Sequence, residues 1–408
     1  MAVGNDVLPT LYPVPGLRLA TVSAGIKKPG RQDLVLIEAA PGSNCAAVFT
    51  QNAFCAAPIT VAREHWQACG RQPRYLLVNT GNANAGTGKQ GIADARATSE
   101  AVAALAEVTA EQVLPFSTGV IGEPLPIDKI TAVLPAALEA LSPEGWADAA
   151  SGIMTTDTRP KASSKRFSVA GRDYVVTGIA KGAGMIRPNM ATMLAYLGTD
   201  MAVAPELLQS ALSEAVNISF NRITIDGDTS TNDACALVAT GAAANELVSQ
   251  QDSPEYQALL SSLQEVCVDL AQGLVRDGEG ASKFVTVQVA GGRQEQECLD
   301  VAFTIAHSPL VKTALFASDP NWGRLLAAIG RAGVEDLDVN QVALYLNEVL
   351  IAERGCRAQS YTEEQGQQAM APENIVIRVE LNRGAAEAAV WTSDFSYDYV
   401  RINAEYRS

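Results

Sequence analysis

Short runs of almost continuous apolar residues alternate along this chain with longer stretches whose apolar positions recur every three or four residues. The runs LVLIEA (34–39), AAVFT (46–50) and YLLVNT (75–80) read as short buried strands. Residues 92–108 and 127–141 carry the helical period, and Pro135 is expected to bend the second helix. Residues 167–184 read as a hairpin turning at Gly171. A strand over 193–203 is followed by a helix over 205–217 that Pro205 opens. Residues 222–240 read as a strand, an acidic turn and an apolar segment. Residues 253–278 form a long amphipathic helix, capped by Ser253 and ending at Gly278. Late strands are expected over 284–292, 341–352, 374–381 and 388–404. Residues 79–91 read as a Gly/Asn loop. The class this predicts is α/β or α+β with mixed or largely antiparallel sheets. A boundary near residue 280 gives a main lobe 1–280 and a second lobe 281–408.

Composition narrows the function. The 408 residues are 48% hydrophobic and 18% charged, which suits large cores and argues against disorder or a coiled coil. The net charge of -15 repels phosphate backbones, so no nucleic-acid partner is expected. No window offers about 18 uninterrupted apolar residues, so no membrane is expected either. The first residues lack a basic start followed by an apolar stretch, and the expected location is the cytoplasm. The seven cysteines (45, 55, 69, 235, 267, 298, 356) are scattered without a CxxC spacing. They read as small buried hydrophobes, with no disulfide frame and no metal site. There are only two histidines. His65, in AREHWQAC, reads as a surface residue, and His307 closes a helical segment. A Ser-His-Asp triad would have to use one of them, and a hydrolase or transferase built on this chain is expected to find its base elsewhere.

Several polar stretches are candidates for chemistry. GNANAGTGKQG lacks Walker spacing and reads as a turn. GDTSTND (227–233) does not fit a calcium loop and reads as an exposed polar loop or a pocket lining. FSTGVIG (116–122) sets Thr118 beside Gly119, a hydroxyl and a backbone N–H of the kind that serve an oxyanion hole, although such turns are common. VRDGEGASKF places Glu279 between two glycines, as a helix end followed by a turn also would. The stretch KGAGMIRPNMATMLAYLGTD (181–200) puts Thr192 behind flexible backbone and before an apolar run. One reading of Thr192 is a β-branched residue opening a strand. The other is a threonine freed by cutting its preceding peptide bond. Its own amine, titrating near about 7.7–8.0, then serves as base and no histidine is needed.

These blocks, with VNTGNANAGTG, RITIDGDTSTND, VRDGEGASKFV, FASDPNWGR and VRINAEYRS, closely resemble the ornithine acetyltransferases, also called arginine-biosynthesis bifunctional glutamate N-acetyltransferases. The resemblance covers essentially the whole chain. It implies a layered α/β fold, a sandwich of sheets flanked by helices that is similar in layout to the N-terminal-nucleophile hydrolases but connected differently. It implies self-cleavage between Ala191 and Thr192, giving chains 1–191 and 192–408, with Thr192 as nucleophile. Thr118 and Gly119 are implied as the oxyanion hole. Thr155, Lys181, Thr192, Glu279, Asn403 and Ser408 are implied as substrate contacts. The implied reaction moves an acetyl group from N2-acetyl-L-ornithine to L-glutamate by a ping-pong route without cofactor or metal, with acetyl-CoA as a second donor in some members. Two cut pairs are expected to form a heterotetramer. A self-processing amidase or aminopeptidase is the alternative enzyme, and a metabolite-binding scaffold the non-enzymatic one.

Overall fold

The computed structural model describes residues 2–4, 7–187 and 193–405. Its first sheet has four strands in the order β1 (Leu17–Val22), β2 (Leu34–Ala39), β4 (Tyr75–Asn82) and β5 (Val113–Val120). The second has five, in the order β3 (Asn44–Phe49), β9 (Ala234–Ala239), β8 (Leu194–Thr199), β7 (Arg172–Lys181) and β6 (Lys161–Val169). Each sheet contains one parallel pair, β4 with β5 and β8 with β9, among antiparallel ones.

The two sheets pack face to face, and the period of two shows how. On β2, Val35 and Ile37 join Leu76, Val78, Leu114, Phe116, Ile179 and Tyr196 in the space between the sheets. Leu34 and Leu36 point the other way, against α2 (Gly88–Ala106) and α3 (Ile127–Glu139). On β9, Ala236 and Val238 face the same inner space. Cys235 and Leu237 face α5 (Pro205–Ile218) and α6 (Pro254–Arg276). Both faces of these strands are buried, which is why they read as continuous apolar runs. Two further helices close the edges of the inner space. α1 (Ala57–Ala68) lies against β5 and ties to β3 through the Trp66 indole N–H, which donates to the Cys45 carbonyl at 2.8 Å. At the opposite edge α4 (Trp146–Gly152) bridges β1 and β6.

The third sheet is six-stranded, in the order β13 (Cys356–Arg357), β12 (Val349–Glu353), β11 (Ala343–Leu346), β14 (Asn374–Glu380), β10 (Phe284–Gly292) and β15 (Ala386–Ser393). It shares a core with α7 (Glu295–Ala306), α8 (Pro309–Phe316), α9 (Trp322–Gly330) and α10 (Glu363–Met370). Phe284 and Trp391 pack into the α5/α6 core and fasten this sheet to the sandwich. A last helix, α11 (Tyr397–Ala404), follows β15.

The layered α/β architecture is the one expected, and several local readings are corrected. Residues 388–404 are not one strand: β15 stops at Ser393, and Ser396 caps α11 by accepting from the Tyr399 N–H at 3.3 Å. Residues 341–352 are a hairpin, turning where Asn347 takes a positive φ of 50°. Residues 222–226 hold a single bridge, Ile223 to Trp391, instead of a strand. The Gly/Asn stretch 79–91 is the end of β4 and the start of α2 around a short loop. FSTGVIG is mostly strand, since β5 runs to Val120. His65 is buried on α1, where Nδ1 donates to the Val113 carbonyl at 2.8 Å. Cys356 is exposed, while Cys45, Cys235, Cys267 and Cys298 are buried. By length and mean composition α6 is the one described helix able to cross a membrane. Its Leu259, Leu263, Val266 and Leu270 are buried in the α5/α6 core instead.

His307 caps α7, stacks on Phe303 and shares a 3.0 Å hydrogen bond between Nε2 and Thr224 Oγ1. Burial, then the charges of Arg187, Lys312 and Arg331, push its imidazole down to about 4. The unfolded chain thus takes up a proton near pH 6.5 that the folded chain refuses, and the stabilisation present above pH 6.5 is lost as pH falls toward 4. The melting temperature of the protein is expected to fall over that range more steeply than that of a His307→Gln variant. Parallel melting curves would contradict this.

Candidate active site

At one end of the sandwich the two sheets enclose a cavity of about 270 Å³. Thr118 and Gly119 from β5, Thr155 and Thr156 after α4, Lys181 at the end of β7, Glu279 after α6 and Asn403 from α11 all line it. The alternation of each strand explains the convergence. On β5, Leu114 and Phe116 face inward, and Thr118 continues that face. On β7, Val175 and Ile179 face inward, and Lys181 continues theirs. The two side chains meet across the gap, with Lys181 Nζ donating to Thr118 Oγ1 at 3.2 Å.

Gly119 stands opposite Gly81 in the parallel β4–β5 pair and takes a φ of +138°. A Cβ there would lie 2.3 Å from the Gly81 carbonyl carbon, so only glycine allows the strands this approach. Behind it the asparagines of the Gly/Asn stretch satisfy buried backbone. Asn79 Nδ2 donates to the Asn82 carbonyl at 2.9 Å, and Asn82 Oδ1 accepts from the Asn84 N–H at 2.7 Å. Asn82 Nδ2 donates to the Pro124 carbonyl at 2.9 Å. GDTSTND supplies another wall: Ser230, Thr231 and Asn232 line the cavity. Asn232 Nδ2 reaches the Ala83 carbonyl at 2.6 Å and the Ser117 carbonyl at 2.9 Å.

Charge under the cavity is arranged in pairs. Lys161 Nζ contacts Asp157 Oδ1 and lies 2.5 Å from Asp277 Oδ2, with all three residues buried. Asp157 also accepts from the Gly182 N–H at 2.7 Å and the Thr155 N–H at 2.8 Å. Asp277 accepts from the Thr158 N–H at 3.0 Å. Burial alone would raise the Asp157 carboxyl, but the ammoniums of Lys161 and Lys181 outweigh it and hold this group well below the usual carboxylate range. Burial pushes the Lys181 ammonium down, opposed by Asp157, Asp233 and Glu279. Burial raises Glu279, against hydrogen bonds from Thr156 and from Asn403, whose Nδ2 lies 2.7 Å from Glu279 Oε2. A Cβ on Gly184 would sit 2.4 Å from the same oxygen, so the backbone after Lys181 lies directly over the carboxylate. Asp233 is buried with Oδ2 unpartnered, and burial raises its carboxyl well above the usual range.

α11 contributes Asn403 although none of its described residues is buried. It is held at its base, where the buried Lys312 Nζ donates to Thr392 Oγ1 at 2.8 Å and to the Ser393 carbonyl. Tyr399 O–H adds a contact to Asp226 Oδ2 at 3.3 Å. Asp226 in turn accepts from the Met185 N–H at 2.6 Å and the Ile186 N–H at 2.9 Å.

The structure thus brings Thr118, Gly119, Thr155, Lys181, Glu279 and Asn403 to one cavity. The expectations for Ala191, Thr192 and Ser408 lie outside the described residues. The described chain resumes at Met193, whose carbonyl accepts from the Ala234 N–H at 2.9 Å, beside Asp233. The supporting residues Asp157, Lys161 and Asp277 went unread in the sequence. The sequence signal for them is slight: an Asp and a Lys four residues apart at a strand entrance, and an Asp two residues before Glu279.

A mixed-sheet sandwich with such a cavity of hydroxyl, amide and paired charges is that of an acyl-transferring enzyme. The comparisons with known proteins agree. The model of the ArgJ family matches residues 18–408. The arginine biosynthesis bifunctional protein ArgJ of Pseudomonas syringae pv. tomato is 58% identical over 408 residues, covering 100% of both chains. That of Methylococcus capsulatus is 59% identical over 398 residues, 98% of this chain and 97% of its own. Among solved structures, the arginine biosynthesis bifunctional protein of Bacillus halodurans is 38% identical, covers 50% of this chain and 95% of its own, and has a TM-score of 0.48. Ornithine acetyltransferase from Mycobacterium tuberculosis, complexed with ornithine, is 38% identical with a TM-score of 0.38, covering 44% of this chain and 94% of its own. The chain belongs to the ArgJ family.

Replacing Lys161 by Met would leave Asp157 and Asp277 buried without their shared cation. A loss of about 3–5 kcal/mol is expected, read as a lower urea midpoint at nearly constant slope. A midpoint within error of the parent would show that the pair carries no such weight.

Proposed function

We propose that this protein is a self-processing acetyltransferase of arginine biosynthesis that moves an acetyl group from N2-acetyl-L-ornithine to L-glutamate. The observation that carries the reading is the convergence of Thr118, Gly119, Thr155, Lys181, Glu279 and Asn403 on one cavity. The names of the relatives support the pathway.

In this reading the Thr192 hydroxyl attacks the Ala191 carbonyl, the C–N bond breaks, and water hydrolyses the resulting ester. That leaves a carboxylate on Ala191 and a free amine on Thr192. In transfer the Thr192 oxygen attacks the acetamide carbonyl while its amine takes the hydroxyl proton. Thr118 O–H and Gly119 N–H stabilise the oxyanion. The amine returns the proton to the departing nitrogen, ornithine leaves, and an acetyl-threonine ester remains. The α-amine of glutamate then attacks this ester, giving N-acetylglutamate and restoring the hydroxyl. No metal or cofactor enters these steps.

The pocket suits an amino acid. Lys181 offers an ammonium to the α-carboxylate. Glu279, steadied by Asn403, offers a carboxylate to the ornithine side-chain ammonium. Thr155 and Ser408 each add a hydroxyl. The fragments remain together and associate as two of each in the cytoplasm. Acetyl-CoA is the candidate second donor, and an assay with acetyl-CoA and glutamate alone decides its use.

Intact mass measurement of purified protein is expected to give chains 1–191 and 192–408, with an acetyl adduct on the second when acetylornithine is present. Thr192→Ala should remain uncut and lose transfer by a factor on the order of 10⁴ or more. A variant that is still cut would place the nucleophile elsewhere. Hydrolysis of acetylornithine that added glutamate does not divert would make the enzyme an amidase.

A further inference from the structure

The contact between Lys181 and Thr118 fixes a direction as well as a distance. Both residues are buried, and Lys181 Nζ lies 3.2 Å from Thr118 Oγ1. An ammonium has three N–H donors and no acceptor. The Thr118 hydroxyl therefore accepts this bond and cannot return its own proton to Lys181. Among the described residues no other group accepts a hydrogen bond from Thr118 Oγ1, and the side chain borders the cavity. The direction left to its O–H is into that space.

We infer that Lys181 is a positioning residue for acyl transfer: its ammonium, donating into Thr118 Oγ1, holds the Thr118 O–H aimed at the place where the acyl oxygen takes up charge. The inference rests on the reading that this cavity transfers an acetyl group. It gives Lys181 a task beyond binding a carboxylate, and two of its three N–H groups remain for that purpose. Donation into the hydroxyl oxygen also polarises the O–H, so the pair acts as a two-link chain of donors. A neutral amine would reverse the contact. Its lone pair would accept the Thr118 proton and turn it away from the cavity.

The surroundings bear on that charge from every side. Lys161 on β6 opposes it, while Asp157 before β6, Asp233 before β9 and Glu279 after α6 support it. Asp277 at the end of α6 is occupied with Lys161. Burial shifts the Lys181 ammonium below the usual lysine range, so the charge is lost on the alkaline side at a lower pH than for a free lysine.

The test is a double-mutant cycle of Thr118→Val and Lys181→Met, with acetyl exchange measured per cut molecule at saturating acetylornithine across pH. For any variant recovered uncut, the rate read is that of cutting during prolonged incubation. Thr118→Val should lower kcat by about 10²–10³-fold. Lys181→Met should lower kcat by about 10-fold or more beside Thr118, and by less than about 2-fold in the Thr118→Val background. Any rise in KM from Lys181→Met should be the same in both backgrounds. The alkaline fall of kcat in the parent should vanish in Thr118→Val and return in Thr118→Ser. Equal kcat losses in the two backgrounds, an effect confined to KM, or an alkaline fall that persists in Thr118→Val would each overturn the inference while leaving the transferase reading intact. A parent protein that exchanges no acetyl group would sink both.

Discussion

One carboxylate, Asp157, ties the walls of the cavity together. It accepts the backbone N–H of Thr155 and of Gly182, and it shares Lys161 with Asp277. An ionised carboxylate without partners could not stay in so dry a place. Its partners are thus a condition of burial, and they come from three different segments: the turn after α4, the start of β6 and the end of β7. Asp277 extends the knot to the end of α6, close to Glu279. Exposed pairs such as Arg96–Glu64 and Lys165–Glu265 have water as an alternative partner and contribute little to the fold. The buried knot has no such alternative, and the positions of Thr155, Lys181 and Glu279 follow from it.

The same burial sets the chemistry of the pocket. Two carboxylates and one ammonium form the knot, and Lys181 stands above it as a second cation. Glu279 and Asp233 are both raised by desolvation, and the Lys181 ammonium opposes that rise in each. A ligand with an ammonium at one end and a carboxylate at the other completes this pattern of charges. An apolar ligand of the same volume would leave Glu279 and Lys181 without that completion. In the proposed function, selectivity for amino acids would arise from the same low dielectric that demands the knot beneath.

Much of this architecture was legible in the sequence because burial on both faces leaves an unmistakable signature. Residues 34–39 and 75–80 are largely apolar, since one sheet face meets another sheet and the other face meets helices. The hairpin at Gly171 and the Ser253-capped helix were legible because turn and cap residues act locally. His65 was misread because its neighbours Glu64 and Gln67 are polar. It nevertheless falls on the stripe Pro58, Val61, Ala62, His65 that α1 buries. The segment 397–404 was misread because Tyr, Val and Ile favour strands, and Ser396 as a cap decided otherwise. Asp157, Lys161 and Asp277 were invisible for a different reason. Asp277 lies more than a hundred residues beyond the other two, and the three-way partnership exists only once α6 lies against β6 and β7.

The order of the second sheet bears on how the chain would stay whole once cut as proposed. Its strands run β3, β9, β8, β7, β6, so two strands from beyond residue 192 are enclosed between strands from before it. β7 pairs with β8 from Val176↔Thr199 to Lys181↔Leu194, and β3 pairs with β9 from Asn44↔Ala239 to Phe49↔Ala234. The core between the sheets mixes Val35 and Phe116 from the first portion with Leu194, Tyr196 and Val238 from the second in one cluster. Neither portion can complete this sheet or bury its inner face without the other, because each supplies strands that the other flanks. In the proposed self-cleavage, a nucleophile would be released between strands that two ladders and a shared core already hold in place.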